Sequence, residues 1–233
     1  MNLLVNPESS RETESESAMS QKSAIDHPPL TEDQLVSQTD PLPQFQAWLQ
    51  EFGKFTQGPT RMCLSTSASD GKPSSRMVVL FGLDEKGLKI FNFTTSGSRK
   101  MKEIAENPFV AALLYSSELN RQIRVEGKVQ QLPVEETERC FRSLPVANQL
   151  TLQIGRQDEV TVSSRQELVE MRKAVESMYQ DLDTPLPLPP HAIGYLLVPD
   201  MFEFSQGHND WLGDRLVYTK EEDGRWSLKR LLP

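Results

Sequence analysis

No stretch of this 233-residue sequence approaches the ~20 consecutive apolar residues that span a bilayer. A transmembrane helix is not expected. Cysteine is scarce, with only Cys63 and Cys140. Two cysteines make no disulfide framework, so a reduced, cytoplasmic compartment is the expectation. Histidine is almost as scarce, at His27, His191 and His208, and neither C-x-x-C nor H-E-x-x-H occurs, so no metal site is expected. Excess positive charge is lacking too. Lys and Arg number 25 against 33 Asp and Glu, for a net charge of −8. Nucleic acid and anionic membranes both require a basic face, so neither is an expected partner. The N-terminus lacks the basic-then-apolar order of a secretory signal. Glu8, Glu12, Glu14 and Glu16 remove the acid-poor look of a transit peptide.

Residues 1–39 contain no aromatic side chain and are rich in Ser, Glu, Gln and Thr. Such a segment buries too little apolar surface to offset its ordering entropy. It reads as a disordered tail, either a leader without a role or a segment that folds over the active site. Residues 40–233 read as one domain. Asp40 is a good N-cap and Pro41 suits the first helical position. Phe45, Trp48, Leu49 and Phe52 then repeat at helical spacing, and Gly53 or Gly58 ends the helix.

A β-rich block follows. Residues 61–66 and 74–83 flank Asp70-Gly71, a hairpin signal, and Asp84–Gly87 turns into a strand over 88–93. Residues 98–106 read as a short helix, closed by Asn107-Pro108. Strands are expected over 109–115 and 122–132, and a helix runs from Pro133 through Arg142. Ser164-x-x-Glu167 is a capping box before a helix striped with Leu168, Met171, Val175 and Met178. The proline-rich stretch 183–190 is a connector. Four strands then follow at 194–198, 201–204, 215–219 and 226–231. Roughly eight antiparallel strands with peripheral helices predict a mainly β, α+β fold built on a closed barrel.

Three features point to chemistry. Arg76 interrupts an apolar strand, which calls for an internal ion pair or an anionic ligand. Ser96-Gly97-Ser98-Arg99-Lys100 places two cations at a helix start, where backbone N–H groups favour phosphate. The alternative is a solvated basic helix end. Gln122 opens a strand and offers an amide to a flat heterocycle edge, or simply to solvent.

These features fall in one order: Arg76-Met77-Val78-Val79-Leu80, Phe93-Thr94, Ser98-Arg99-Lys100 and Asn120-Arg121-Gln122. Further on come Glu203-Phe204-Ser205-Gln206-Gly207, Trp211-Leu212-Gly213-Asp214-Arg215 and Arg230-Leu231-Leu232-Pro233. The layout resembles the pyridoxine/pyridoxamine 5'-phosphate oxidase family over residues 40 to 233. The resemblance implies an FMN-binding split β-barrel acting as a homodimer with the flavin in the interface. It implies that Arg76, Arg99 and Lys100 grip the FMN phosphate, beside Phe93 and Thr94. Met77, Val78, Val79 and Leu80 would line the flavin by backbone, with Gln122, Gln157 and Arg215 as further contacts.

The same resemblance marks departures. Phe81, Cys140, Leu144 and Asn148 stand where the family has the lysine, tyrosine, arginine and serine that hold the substrate phosphate. Trp211 and Gly213 replace the arginine and histidine of its R-L-H, Ser205 its tryptophan, and Asp158 a serine near FMN. Two cations are lost from the substrate-phosphate set, while the FMN-phosphate set is largely kept. Three functions follow as expectations. The first is the family oxidase, which passes hydride from pyridoxamine or pyridoxine 5'-phosphate to FMN and yields pyridoxal 5'-phosphate. The second is a diverged flavoprotein oxidising another aromatic compound. The third is a non-catalytic carrier of FMN or a B6 vitamer. No catalytic residue is assigned.

Overall fold

The computed structural model of the protein describes residues 27–92, 98–154, 161–179, 186–208 and 212–233. Among these residues, eight strands form one antiparallel sheet: β1 (Arg61–Ser67), β2 (Pro73–Asp84), β3 (Gly87–Asn92), β4 (Phe109–Ser116), β5 (Arg121–Gln131), β6 (Ile193–Gln206), β7 (Asp214–Lys220) and β8 (Trp226–Leu231). The order is β3-β2-β1-β4-β5-β6-β7-β8, and a β3–β6 pairing closes the first six strands into a barrel. The expected fold class is therefore the observed one. Among the described residues, five α-helices decorate the barrel: α1 (Pro41–Gly53), α2 (Arg99–Glu106), α3 (Val134–Arg142), α4 (Val146–Ile154) and α5 (Arg165–Tyr179). Among the described residues, no helix is long and apolar enough to cross a membrane.

Local chemistry accounts for the turns and caps. The Asp40 carboxylate accepts from the Leu42 N–H at 3.0 Å and caps α1, with Pro41 at its first position. Asp70 accepts from the Lys72 N–H in the β1–β2 turn, and Asp84 accepts from the Lys86 and Gly87 N–H groups in the β2–β3 turn. Phe45 and Trp48 of α1 pack edge-on against Phe202 and Phe204 of β6 at centroid distances of 5.5 and 5.3 Å, and the buried Phe52 stacks on Trp48. Met62, Leu88, Ile90, Ile123, Leu197 and Tyr218 extend that core.

Two elements differ from the sequence expectation, α4, which was not anticipated, and the long strand β6. Strands read over 194–198 and 201–204 are a single strand, β6. Its first part pairs with β3 and its last part with β7, while β5 runs along nearly all of it. Between the halves, the β5–β6 register slips at Glu126/Gly127, opposite Met201 and Pro199, with Asp200 as the extra residue. A proline is tolerated at such a bulge because the ladder is already broken there. The backbones meet so closely that a Cβ on Gly127 would lie 2.2 Å from the Val198 oxygen.

The N-terminal boundary also moves. Order was expected to begin at Asp40, yet residues 27–39 lie on the barrel, and of the expected tail residues 1–26 fall outside the described residues. Leu30 and Leu35 are buried. The Leu30 N–H donates to Asp214 at 2.7 Å, Gln206 donates to the Pro28 oxygen at 2.8 Å, and Arg230 donates to the Leu30 oxygen and to Glu32. Tyr218 donates to the Ser37 oxygen. This strap is held by contacts nearly 200 residues away in sequence, which its own composition does not reveal.

Candidate functional site

The residues singled out from the sequence fall into three neighbourhoods. The first is cationic. Arg76, on β2, donates from Nη1 to Thr66 Oγ1 at 2.6 Å and to the Leu64 and Ser74 oxygens. Its Nη2 donates to Ser74 Oγ at 2.8 Å and to Glu103 Oε2 at 3.3 Å. Arg99 Nε, at the first turn of α2, donates to Glu103 Oε1 at 2.6 Å, and Thr66 Oγ1 donates to Oε2. Glu103 is 4% exposed. Burial on its own pushes this carboxyl up, but the bonds from Thr66, Arg99 and Arg76 hold it below the usual range. Lys100 stands beside them, its ammonium pushed down to about 8 by burial and then by the Arg76 charge. The internal ion pair considered for Arg76 thus exists, and it belongs to a cluster in which two arginines share one carboxylate and Lys100 stands beside Arg76. Of the neighbouring backbone-lining set, Val78, Val79 and Leu80 are buried, while Met77 is exposed.

The second neighbourhood is a cleft of about 570 Å³ lined by Tyr115, Gln122, Ser205, Gly213, Arg215 and Pro233 among others. Strand register builds it. Gln122 on β5 faces Ser205 on β6, which faces Arg215 on β7. Arg215 is held rigid, with Nε and Nη2 each 3.2 Å from the Glu203 carboxylate and Nη1 on the Leu232 oxygen. Glu203 is buried, yet Arg215, Arg124 and Ser205 hold its carboxyl below the usual range against the effect of burial. His208 and Asp214, 2.8 Å apart, lie at the cleft edge, where Asp214 also fastens the strap.

The third neighbourhood is apolar. Phe81 and Cys140 pack against a buried cluster containing Phe141, Leu144, Leu152 and Leu186. Burial pushes the Cys140 thiol up, which keeps it protonated and poorly nucleophilic. Asn148 is exposed on α4. Phe93, Thr94, Gln157, Asp158 and Trp211 lie outside the described residues. Among the described residues, no cluster of three or more His, Cys, Asp or Glu is placed to hold a metal ion.

Sequence reasoning missed the two carboxylates that organise these places. Glu103 stands four residues after Arg99 on one helix face, a spacing that signals an ion pair. Glu203 was visible as a lone charge between apolar neighbours on β6.

Comparison with known proteins supplies the context. Residues 49–180 match the family model described as pyridoxamine 5'-phosphate oxidase. Residues 193–233 match that of the pyridoxine 5'-phosphate oxidase C-terminal dimerisation region. A pyridoxine/pyridoxamine 5'-phosphate oxidase of Burkholderia lata is 40% identical over 197 residues, covering 83% of this chain and 89% of its own. The pyridoxine-5'-phosphate oxidase of Bos taurus is 38% identical over 198 residues, covering 83% and 73%. Among solved structures, PhzG from Burkholderia lata, in complex with tetrahydrophenazine-1-carboxylic acid, aligns with a TM-score of 0.78 at 26% identity, over 89% of this chain and 99% of that one. A pyridoxamine 5'-phosphate oxidase-related, FMN-binding protein of Nostoc punctiforme shares the fold, with a TM-score of 0.66 at 17% identity over 83% and 98%.

Proposed function

The chain belongs to the pyridoxamine 5'-phosphate oxidase family, and on that premise we propose that it is an FMN-dependent oxidase of a small aromatic heterocycle. The observation that carries this reading is the cluster at the start of α2. Arg76 and Arg99 pair with one buried carboxylate, and Lys100 stands beside them, its ammonium pushed down to about 8 first by burial and then by the Arg76 charge, so positive charge exceeds negative there. A phosphomonoester fits that charge, accepts charge-assisted hydrogen bonds from both arginines and meets the N-terminus of α2. Bound FMN would supply a hydride acceptor that dioxygen can reoxidise. The chain's own residues bind and orient. Arg76, Arg99 and Lys100 hold the phosphate. Gln122 presents its amide, and Arg215, fixed by Glu203, presents a planar cation at the cleft where a flat ring is to be recognised.

The reaction first tested is oxidation of pyridoxamine or pyridoxine 5'-phosphate to pyridoxal 5'-phosphate, in the cytoplasm, by a homodimer. A second reading is favoured by one observation. Phe81, Cys140 and Leu144 share an apolar cluster, an environment that disfavours a substrate phosphate. An unphosphorylated aromatic substrate, comparable in character to the ligand of PhzG, suits it better. The discriminating experiment is anaerobic. The protein is loaded with FMN, pyridoxamine 5'-phosphate is added, and the absorbance of oxidised flavin is followed. Bleaching supports the vitamer oxidase. Flavin that stays oxidised with this substrate but bleaches with an unphosphorylated aromatic compound supports the second reading. Flavin that binds and is reduced by neither leaves a non-catalytic carrier.

A further inference from the structure

We propose that Glu103 is the positioning residue of the phosphate cradle, the buried carboxylate that fixes Arg76 and Arg99 in place for the phosphomonoester of FMN. The inference rests on the cofactor reading above and concerns a residue that does not itself reach the ligand. Both carboxylate oxygens are engaged: Oε1 by Arg99 Nε at 2.6 Å, and Oε2 by Arg76 Nη2 at 3.3 Å and by Thr66 Oγ1. Thr66 in turn accepts from Arg76 Nη1 at 2.6 Å, so the arginine is held twice, once directly and once through the hydroxyl. The four groups come from three elements, with Thr66 on β1, Arg76 on β2, and Arg99 and Glu103 on α2. Glu103 is therefore the point at which the helix start is registered against the β1–β2 hairpin.

Two physical consequences follow. Arginine side chains lose substantial rotamer entropy when a ligand first orders them, and holding them beforehand removes that loss from the binding step. Charge is matched as well. Three cations and one carboxylate leave a net charge of +2, against the roughly −1.5 to −2 of a phosphomonoester near pH 7. Without the carboxylate, three like charges would repel one another within one small volume, and the arginines would turn towards solvent.

The alternative is that Glu103 merely docks α2 onto the barrel. FMN and riboflavin separate the two, because they share the ring system and differ in the phosphate. Flavin-free protein and its Glu103→Gln variant are titrated with each, following flavin fluorescence. The expected result is an FMN Kd raised about tenfold or more, from loss of charge-assisted positioning, with the riboflavin Kd unchanged. Equal weakening for both flavins, or tighter FMN binding, overturns the proposal. Wild-type protein that binds FMN no better than riboflavin overturns the cradle reading itself, and does so before any variant is made. Should Glu103→Gln fail to fold, Thr66→Val removes only the bridging hydroxyl. A severalfold, FMN-specific loss is then expected, and equal loss for both flavins overturns the proposal.

Discussion

Lys100 makes the cradle sensitive to alkali in two opposite ways. Its folded-state value of about 8 lies below the ordinary 10.5 of lysine. Between those values the unfolded chain binds more protons than the flavin-free native state, so native stability from this group rises with pH across that window. Phosphate needs the protonated ammonium, so FMN affinity falls as pH climbs above about 8. Glu103, held below the usual carboxyl range, keeps its charge throughout. The melting temperature of flavin-free protein and the FMN Kd, followed from pH 7 to 9.5, are expected to move in these directions, and Lys100→Met to flatten both slopes. At this scale the sequence was plain about the cations and marked their partner only by its four-residue spacing from Arg99. Arg76, Arg99 and Lys100 stood out because charge at an apolar strand or a helix start needs a reason. Glu103 did not, since an acid on a short polar helix looks like solvated surface until Thr66 and Arg76 close over it.

Two elements carry sharper expectations. Gly127 faces the bend of β6, and its replacement by alanine must move the Val198 carbonyl, which should cost about 1–3 kcal/mol in denaturant unfolding. Trp48 of α1 is 2% exposed, meets Phe204 edge-on and lies under the Arg121 guanidinium at 4.5 Å. Trp48→Ala should cost about 3–5 kcal/mol, read from the same unfolding curves. Helix α1 was legible because a cap, a proline and four apolar residues at the right spacing all agreed. Helix α4 was not, because Val146–Ile154 mixes β-branched and polar residues without a stripe and buries only Gln149 and Leu152. The two strands expected over 194–198 and 201–204 leave out Pro199 and Asp200, yet the bulge at Pro199 makes its missing N–H harmless and the strand runs through. The capping box before α5 is real but shared. The Glu167 N–H donates to Ser164, while the Glu167 carboxylate accepts from Ser163.

On the scale of the molecule, the strap and the outer barrel face are the parts local pattern could not supply. Deleting residues 1–39 removes Leu30 and Leu35 from the core and strips the strap's hydrogen bonds from Asp214 and Arg230, so unfolding free energy should fall by roughly 1–3 kcal/mol. Met77, Phe109 and Tyr115 are more than half exposed on β2 and β4. Apolar side chains grouped in this way suit the proposed contact with a second copy. Sedimentation is expected to give twice 26.4 kDa, and Met77→Glu to shift the species towards monomer. Eight antiparallel strands could be anticipated from turns and alternation, but not the closure of β3 on β6, which joins segments far apart in the chain.

That closure sets a schedule for the ribosome. Helix α1 and strands β1 to β3 leave the exit tunnel early, yet the second neighbour of β3 begins only at Ile193, and the aromatic residues that receive Phe45 and Trp48 are Phe202 and Phe204. Until β6 emerges, a nascent chain carries a bare aromatic helix face and an unpaired strand edge, both adhesive surfaces. The growing polypeptide is therefore a natural client for holding chaperones through most of its synthesis, and a ribosome stalled before residue 206 would present an aggregation seed rather than a half-built barrel.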